Sequence, residues 1–112
     1  MPDTTRLVQY VSGRLSYAAH EAVTIAASST GLTVASFPNA LKLVYIFVED
    51  GVVRWRADGT APTATVGTPS YPGDEIILSS IKEMLNFRAI RKSATSGVLQ
   101  VTYYAEPSGA GS

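Results

Sequence analysis

The sequence predicts a small all-β protein, a β-sandwich of eight or nine short strands with at most one helical turn. Charged residues make up only 16% of the 112 residues, below the roughly 25% of an average soluble domain, whereas amphipathic helices need charged faces. Six tyrosines and many threonines are spread along the chain, and its apolar residues alternate over short stretches that end at turn residues. A jelly roll is the leading form, and an immunoglobulin-like sandwich is its rival.

One domain is expected over residues 1–112, because a chain of this length has room for a single core. Residues 4–11 are β-prone, so residues 1–12 are predicted to form a first strand or an extended arm. Residues 106–112 have the composition of a flexible tail. No apolar run approaches the roughly 18 residues of a membrane span, and no signal peptide is recognisable, so a soluble protein is expected.

Three strands are predicted in the first 35 residues. Residues 13–18 and 22–26 alternate apolar and polar side chains with the period of two that marks a half-buried strand. Residues 31–35 alternate in the same way. The turn residues at 28–31 predict that this third strand pairs with residues 22–26.

The most apolar segment, residues 41–48, is predicted to be a central strand. Its apolar side chains occur on both faces, which is typical of a strand that is covered on both sides. Asp50 and Gly51 separate it from a second β-prone run at residues 52–56. Because both turn residues tolerate positive φ, this pattern predicts a two-residue hairpin.

The second strand of that hairpin carries two arginines. Val53 and Trp55 are expected to point into the core, while Arg54 and Arg56 point to solvent or a partner. Glycines and prolines interrupt residues 58–73, so a long loop is predicted there. Loops beyond about 12 to 15 residues are usually functional or disordered. An arm that becomes ordered against a neighbouring subunit would fit both tendencies.

The remaining segment alternates strands with one helical turn. Ser80 and Glu83 form a capping box that predicts the start of this turn, with Ile81 and Leu85 on its inner face. The other predicted elements are strands at 74–78, 87–91 and 98–104, with a polar turn at 92–97.

Candidate catalytic groups are few. The absence of cysteine excludes a disulfide framework, a thiolate metal site and a cysteine nucleophile. His20 is the only histidine, so a catalytic triad would have one possible base, and an exposed or locally hydrogen-bonded side chain is the plainer interpretation. The acidic pairs Glu49-Asp50 and Asp74-Glu75 fit turns better than calcium binding or acid–base catalysis. We expect no enzymatic activity, no cofactor and no metal.

Nine basic residues balance nine acidic residues, so no net charge attracts the chain to nucleic acid or to an anionic membrane. Low charge also favours self-association. If their strands are neighbours, the densest basic residues could meet phosphates or an acidic protein surface, although a solvated face is the plainer interpretation. They are Arg54, Arg56, Arg88, Arg91 and Lys92. Trp55 could stack on a sugar, but its alternation with Val53 favours a core or interface position.

About half of the chain resembles a pattern met in short proteins encoded beside the head genes of tailed bacteriophages. The pattern combines an arginine strand, an Asp-Gly-Thr-x-Pro-Thr loop and a terminal Tyr-Tyr. It occurs here at residues 53–63, 66–69, 73–74, 87–91 and 99–104. In these features the chain is similar to the decoration or cement proteins that reinforce phage heads. The first 40 residues carry no part of the pattern.

The resemblance implies a structural virion protein on the outer surface of the capsid, made in the cytoplasm of the bacterial host. Its partners would be the major capsid protein and other copies of the chain, in a dimer or trimer, without membrane or specific nucleic acid. The candidate interface residues are Arg54, Arg56, Asp58, Thr60, Pro62, Thr63, Pro69, Tyr71, Arg88 and Arg91. A receptor- or glycan-binding fibre module and a head–tail connector component are the alternatives.

Overall fold

A computed structural model describes residues 15–106, and these form two antiparallel sheets of four strands each. The strands are β1 (Ser16–Ile25), β2 (Thr30–Gly31), β3 (Leu41–Asp50), β4 (Val53–Arg56), β5 (Thr68–Ser70), β6 (Glu75–Leu78), β7 (Arg88–Arg91) and β8 (Gly97–Ala105). One short helix, α1 (Ile81–Asn86), and one 3-10 turn, Val34–Ser36, complete this part of the chain. The all-β prediction is confirmed. The predicted arm at 1–12 and residues 107–112 of the predicted tail lie outside the described residues.

The two sheets interleave along the chain. Sheet A has the order β1-β8-β3-β6, and sheet B has the order β2-β7-β4-β5. The pairings nest, since β1 pairs with β8, β2 with β7, β3 with β6 and β4 with β5. Most consecutive strands therefore lie in opposite sheets, and the chain crosses repeatedly from one sheet to the other.

The core lies between the sheets, because alternate side chains of each strand point inward. On β8, for example, Leu99, Val101 and Tyr103 are fully buried. The other buried members of the core are Val23, Ile25, Leu32, Val44, Ile46, Val48, Val53, Ile76, Leu78, Met84, Phe87 and Ala89. Burial of this apolar surface is the main driving force for folding.

Glu21 links β1 to the segment that follows β2. Its carboxylate accepts hydrogen bonds from the Thr33 N–H at 3.2 Å, from Thr33 Oγ1 at 2.7 Å and from the hydroxyl of buried Tyr103. Burial, and then the interaction with Glu21, raise the pKa of Tyr103 above its usual range. The buried hydroxyl of Tyr103 therefore has a hydrogen-bond partner, as buried polar groups generally do.

The prediction of a central strand at residues 41–48 is confirmed, since β3 lies between β8 and β6. The predicted Asp50-Gly51 hairpin is wrong, because β3 and β4 belong to different sheets. Gly51 has the positive φ that the turn signal requires, 72°, but the turn carries the chain from sheet A to sheet B. Strands β8 and β6 already pair with both edges of β3, so no edge is left for β4.

The strand predictions for the first 35 residues are partly wrong. The pattern predicts separate strands at 13–18 and 22–26, yet β1 (Ser16–Ile25) is continuous across most of the described part of each, with a bulge between Tyr17 and Ala19, while residues 13 and 14 lie outside the described residues. Residues 31–35 form no strand against β1. Instead β2 covers two residues and pairs with β7, and the 3-10 turn follows it. The alternation of apolar and polar residues indicates an extended segment, but it does not identify the strand with which that segment pairs.

The N-cap of the predicted capping box is confirmed, since Ser80 Oγ accepts a hydrogen bond from the Glu83 N–H at 3.2 Å. The reciprocal bond is shifted by one residue, because Glu83 Oε1 accepts the N–H of Ser79 at 3.3 Å. The predicted inner face of α1 is wrong. Ile81 and Leu85 are 53% and 52% exposed, while Met84 is 1% exposed and belongs to the core. A helix of six residues buries a single position, so the i, i+4 pattern is too short to select the face. The later strand predictions are confirmed by β6, β7 and β8.

Candidate protein-interaction surface

Three arginines share the outward face of sheet B. Strands β4 and β7 are neighbours, and their register sets Arg56 opposite Arg88 and Arg54 opposite Ile90. We call Arg54, Arg56 and Arg88 the arginine face. Arg91 does not join it, because it lies opposite Val53, whose side chain is buried in the core. The prediction of a basic cluster required that the strands carrying these residues be neighbours. That condition is met, and three of the predicted arginines share one face.

Arg54 connects this face to the segment 57–67, which we call the β4–β5 loop. Its Nε donates a hydrogen bond to the carbonyl of Ala64 at 3.0 Å, and Nη1 donates one to the carbonyl of Gly67 at 2.9 Å. The planar guanidinium presents several donors in fixed directions, so one side chain can hold two points of the loop. Arg54 is half-buried in this position.

The β4–β5 loop has an internal structure of its own. The N–H of Thr63 donates to the carbonyl of Val66 at 2.9 Å, and Thr63 Oγ1 accepts from the N–H groups of Thr65 and Val66 at 3.3 and 3.0 Å. Pro62 is buried. The sequence predicts an arm that orders against a neighbouring subunit, whereas these contacts and those of Arg54 already hold the loop within the chain itself. The predicted loop also contains a strand, β5, which pairs with β4.

Arg56 forms an ion pair at the start of the loop. Its Nε and Nη2 lie 3.1 and 2.5 Å from the two carboxylate oxygens of Asp58, and Asp58 also accepts the N–H of Thr60 at 3.2 Å. The hydrogen bond from Arg56, and then the one from the Thr60 backbone, lower the pKa of Asp58 to about 2. Asp58 therefore remains a carboxylate, and the pair presents both charges at the exposed start of the loop.

Arg88 contacts the connection between β1 and β2. Its Nε donates to Ser29 Oγ at 3.0 Å, and Nη2 donates to the Ser29 carbonyl at 2.8 Å. Each member of the arginine face is thus held by contacts within the chain. Side chains held in this way lose less conformational freedom when a partner binds.

The remaining predicted interface residues lie beside the loop. Pro69 is exposed on β5, opposite Arg54. Tyr71 follows that strand and is 50% exposed, and its N–H donates to Asp74 Oδ2 at 2.8 Å. These residues extend the surface of the β4–β5 loop along the edge of sheet B.

Trp55 is on the inner side of sheet B, where its ring lies 5.7 Å from that of Phe87 and its Nε1 donates to Ser70 Oγ at 3.1 Å. The structure therefore places it at the margin of the core, as its alternation with Val53 predicted. Beside it an open cleft of about 400 Å³ is lined by Trp55, Arg56, Ala57, Asp58, Val66, Gly67 and Thr68.

Comparison with known proteins does not assign this surface. No protein-family model, curated protein or solved structure matches the sequence. The similarity to phage head proteins therefore stays a prediction, and any function proposed for the arginine face depends on its chemistry and geometry.

Sequence reasoning missed a second surface, the outward face of sheet A. Tyr45 and Phe47 of β3 and Tyr104 of β8 are half-buried there, and Tyr17 packs edge-on against Tyr104 with ring centroids 6.1 Å apart. Tyr45 donates its hydroxyl hydrogen to Glu75, and burial followed by this hydrogen bond raises the pKa of Tyr45. The period-two spacing of Tyr45 and Phe47 indicates that both side chains share one face of the strand. On a strand predicted to be covered on both sides, this spacing predicts full burial.

His20 belongs to a polar row on the same face. Its Nδ1 lies 3.1 Å from Thr102 Oγ1 and its Nε2 lies 2.7 Å from Gln100 Oε1, while Gln100 Nε2 donates to Glu49 Oε1 at 2.8 Å. This is the exposed, locally hydrogen-bonded histidine that the sequence favoured. In residues 15–106 no three His, Asp or Glu side chains are grouped to hold a metal ion, and no helix there is long and apolar enough to cross a membrane.

Proposed function

We propose that this chain is a non-enzymatic structural virion protein that binds the outside of a phage capsid and stabilises the shell by bridging its subunits. The observation that carries the proposal is the exposed β4–β5 loop, which Arg54 holds beside the arginine face through two hydrogen bonds. A loop that is already ordered loses little conformational entropy on binding, so a small surface can bind a protein partner productively.

The charges of this surface favour a protein partner over nucleic acid. Arg56 is paired with Asp58, and Arg88 is occupied by Ser29. Binding to a phosphate backbone depends on cations that are free to replace its counterions. A mixed surface in which a carboxylate is paired with an arginine fits the polar rim of a protein–protein interface better.

The nested pairing of the strands also supports the proposal. We infer that the sandwich is a jelly roll, because eight strands that pair 1–8, 2–7, 3–6 and 4–5 are what results when one long antiparallel hairpin is rolled up. Jelly rolls occur in viral capsid domains and in lectins, so this support is an analogy at the level of the fold.

Bridging needs at least two contact surfaces on one molecule. The arginine face lies on sheet B, and the aromatic face with Tyr45, Phe47 and Tyr104 lies on the outward side of sheet A. Two such faces on opposite sides of a sandwich allow one copy to contact two neighbours. Weak contacts repeated over a shell add up to strong overall binding.

The proposal is tested by co-sedimentation of the purified chain with expanded heads of the phage that encodes it. We expect the unmodified chain to sediment with the heads and to protect them from heat. The variant Arg56→Ala/Arg88→Ala should bind at least tenfold more weakly, while Lys82→Ala on exposed α1 should bind normally. A chain that associates with no capsid protein contradicts the proposal.

Copy number separates this function from that of a head–tail connector component. A cement protein should be present in hundreds of copies in each virion, whereas a connector component should be present in a few. Quantitative mass spectrometry of purified virions, referenced to the major capsid protein, gives the ratio directly.

A glycan-binding fibre module is the second candidate, and the cleft beside Trp55 favours it. Arg56, Asp58 and Thr68 supply polar groups there next to an aromatic ring, which is a common arrangement for sugars. A glycan screen should then show saturable binding that Asp58→Ala weakens and Trp55→Ala abolishes. A screen without signal removes this candidate.

A further inference from the structure

The four sheet edges of the sandwich differ in their ability to accept another strand. In sheet B, β2 has two residues, and β5 has three with Pro69 in the middle, which lacks a backbone donor. In sheet A, β6 has four residues, whereas β1 has ten. Within residues 15–106, β8 is the one strand that pairs with β1. Length and composition therefore make β1 the edge best suited to strand addition.

The part of β1 that can accept another strand has a defined middle residue. The register with β8 is interrupted between Tyr17 and Ala19 and is regular from Ala19 to Ile25. A bulge ends regular pairing on the strand that contains it. The regular stretch is therefore seven residues long, and Ala22 is its middle residue.

This stretch is complementary to itself. Antiparallel pairing about a twofold axis through Ala22 would set Ala22 against the same residue of the other copy and His20 against Thr24, with all of these side chains on the outward face. The single carboxylate of the stretch, on Glu21, is already engaged by Thr33 and Tyr103 on the inner side. Neither steric crowding nor like-charge repulsion opposes the pairing.

We propose that β1 pairs with β1 of a second copy of this chain, so that two sheets A join into one continuous eight-stranded sheet with Ala22 on the twofold axis. The partner is a second copy because pairing about Ala22 sets the small Ala22 against itself and His20 against Thr24, so that neither two bulky outward side chains nor two like charges face each other. Isologous twofold pairing is the commonest way in which identical chains associate. This inference gives a geometry to the self-association that the resemblance to phage head proteins implies, and to that extent it rests on the proposed function.

Cysteine cross-linking tests the position of the axis, because the chain has no cysteine of its own. Opposed residues of an antiparallel pair have Cα atoms about 4.5–5.5 Å apart, within the roughly 4.4–6.8 Å that a disulfide spans. The variant Ala22→Cys should form a covalent dimer on mild oxidation. In Thr24→Cys the two thiols would be separated by about four residue steps, roughly 14 Å, so this matched exposed variant should remain monomeric on a non-reducing gel.

Sedimentation equilibrium gives a second measurement that needs no oxidation. The unmodified chain should be a dimer at micromolar concentration, and Ala22→Lys should dissociate it, since two ammonium groups would face each other across the axis. Thr68→Lys on β5 is the matched control and should leave the dimer intact. Circular dichroism and thermal unfolding verify that both variants fold.

Two results overturn the inference. The first is an Ala22→Cys chain that stays monomeric, whether another segment of the chain covers this edge or none does. The second is cross-linking of Thr24→Cys that equals that of Ala22→Cys, which would indicate random collision. A dimer that binds no phage heads supports the pairing of β1 and contradicts the proposed function. A monomer that binds phage heads supports the proposed function and contradicts the pairing of β1.

Discussion

Arg54 is the residue on which the shape of the β4–β5 loop depends. Replacing it by alanine removes the hydrogen bonds to the carbonyls of Ala64 and Gly67. We expect Arg54→Ala to lower the free energy of unfolding by about 1–3 kcal/mol and to speed hydrogen exchange at the Val66 N–H. Arg54→Lys should restore only part of the loss, because an ammonium group cannot reproduce the planar fork. Denaturant titration and amide exchange measure both effects, and unchanged exchange at Val66 would contradict this role.

Asp58 provides a prediction for low pH. Its pKa of about 2 lies below the usual value of about 3.9, so the folded state favours the carboxylate. The stabilisation that the pair with Arg56 contributes is therefore present above about pH 4 and is lost as the pH falls towards 2. Carboxyl NMR titration should find this low pKa, and Arg56→Ala should raise it towards the usual value. An equal pKa in both proteins would show that the pair does not form in solution.

Tyr45 provides a prediction for high pH. Burial and the hydrogen bond to Glu75 raise its pKa in the folded protein, so folding favours the neutral phenol. The stabilisation is complete below about pH 10, the usual tyrosine value, and is lost as the pH rises above it. Between pH 9 and pH 11 the free energy of unfolding should fall less steeply for Tyr45→Phe than for the unmodified chain. Identical slopes would contradict the assignment.

At the scale of elements, α1 stabilises the fold through one residue. Met84 is 1% exposed, whereas Leu85 beside it is 52% exposed. Met84→Ala should lower the free energy of unfolding by about 2–5 kcal/mol, since it leaves a cavity in the core. Leu85→Ala, a matched change in the same helix, should lower it by less than about 1 kcal/mol. Equal losses would mean that the helix packs on a different face.

The crossing from β3 to β4 depends on close approach of the backbone. A Cβ on Gly51 would lie 2.8 Å from Gly97 Cα and 2.8 Å from the Ser96 carbonyl, and φ is 72°. Gly73 has a φ of 96° with no atom within 4 Å of its Cβ position. Gly73→Ala should therefore lower the free energy of unfolding through backbone strain alone, by about 1–2 kcal/mol. Gly51→Ala should lower it by clearly more, because the added Cβ also meets the neighbouring backbone. Thermal unfolding of the two variants makes the comparison, and equal effects would refute the crowding.

Several elements could be predicted because their signals are local. The N-cap at Ser80 depends on a residue only three positions away, and the alternation of buried and outward side chains within β8 is enough to predict that strand. The partner of a strand is not local. The Asp50-Gly51 turn forms, but whether it closes a hairpin depends on β6 and β8, which lie far along the chain and pair with both edges of β3.

At the scale of the whole molecule, the candidate site was only partly predictable. The sequence placed Arg54 and Arg56 on the outward side of one strand, which period-two geometry requires. That Arg88 lies opposite Arg56 follows from the register of β7, and that Arg54 holds the loop follows from its contacts with Ala64 and Gly67. These depend on how the sheets assemble, and no local pattern contains that information.

The sequence by itself determined an all-β chain with a central strand at residues 41–48, an arginine strand beside a glycine- and proline-rich segment, and one capped helical turn. These follow from side-chain period, turn chemistry and backbone capping, which act over a few residues. Only the tertiary structure decided that β1 is one long edge strand among residues 15–106, that the Gly51 turn joins two sheets and that the β4–β5 loop is held by contacts within the chain. The physical reason is that strand pairing and sheet packing are chosen by competition among distant segments for the same edges and the same core.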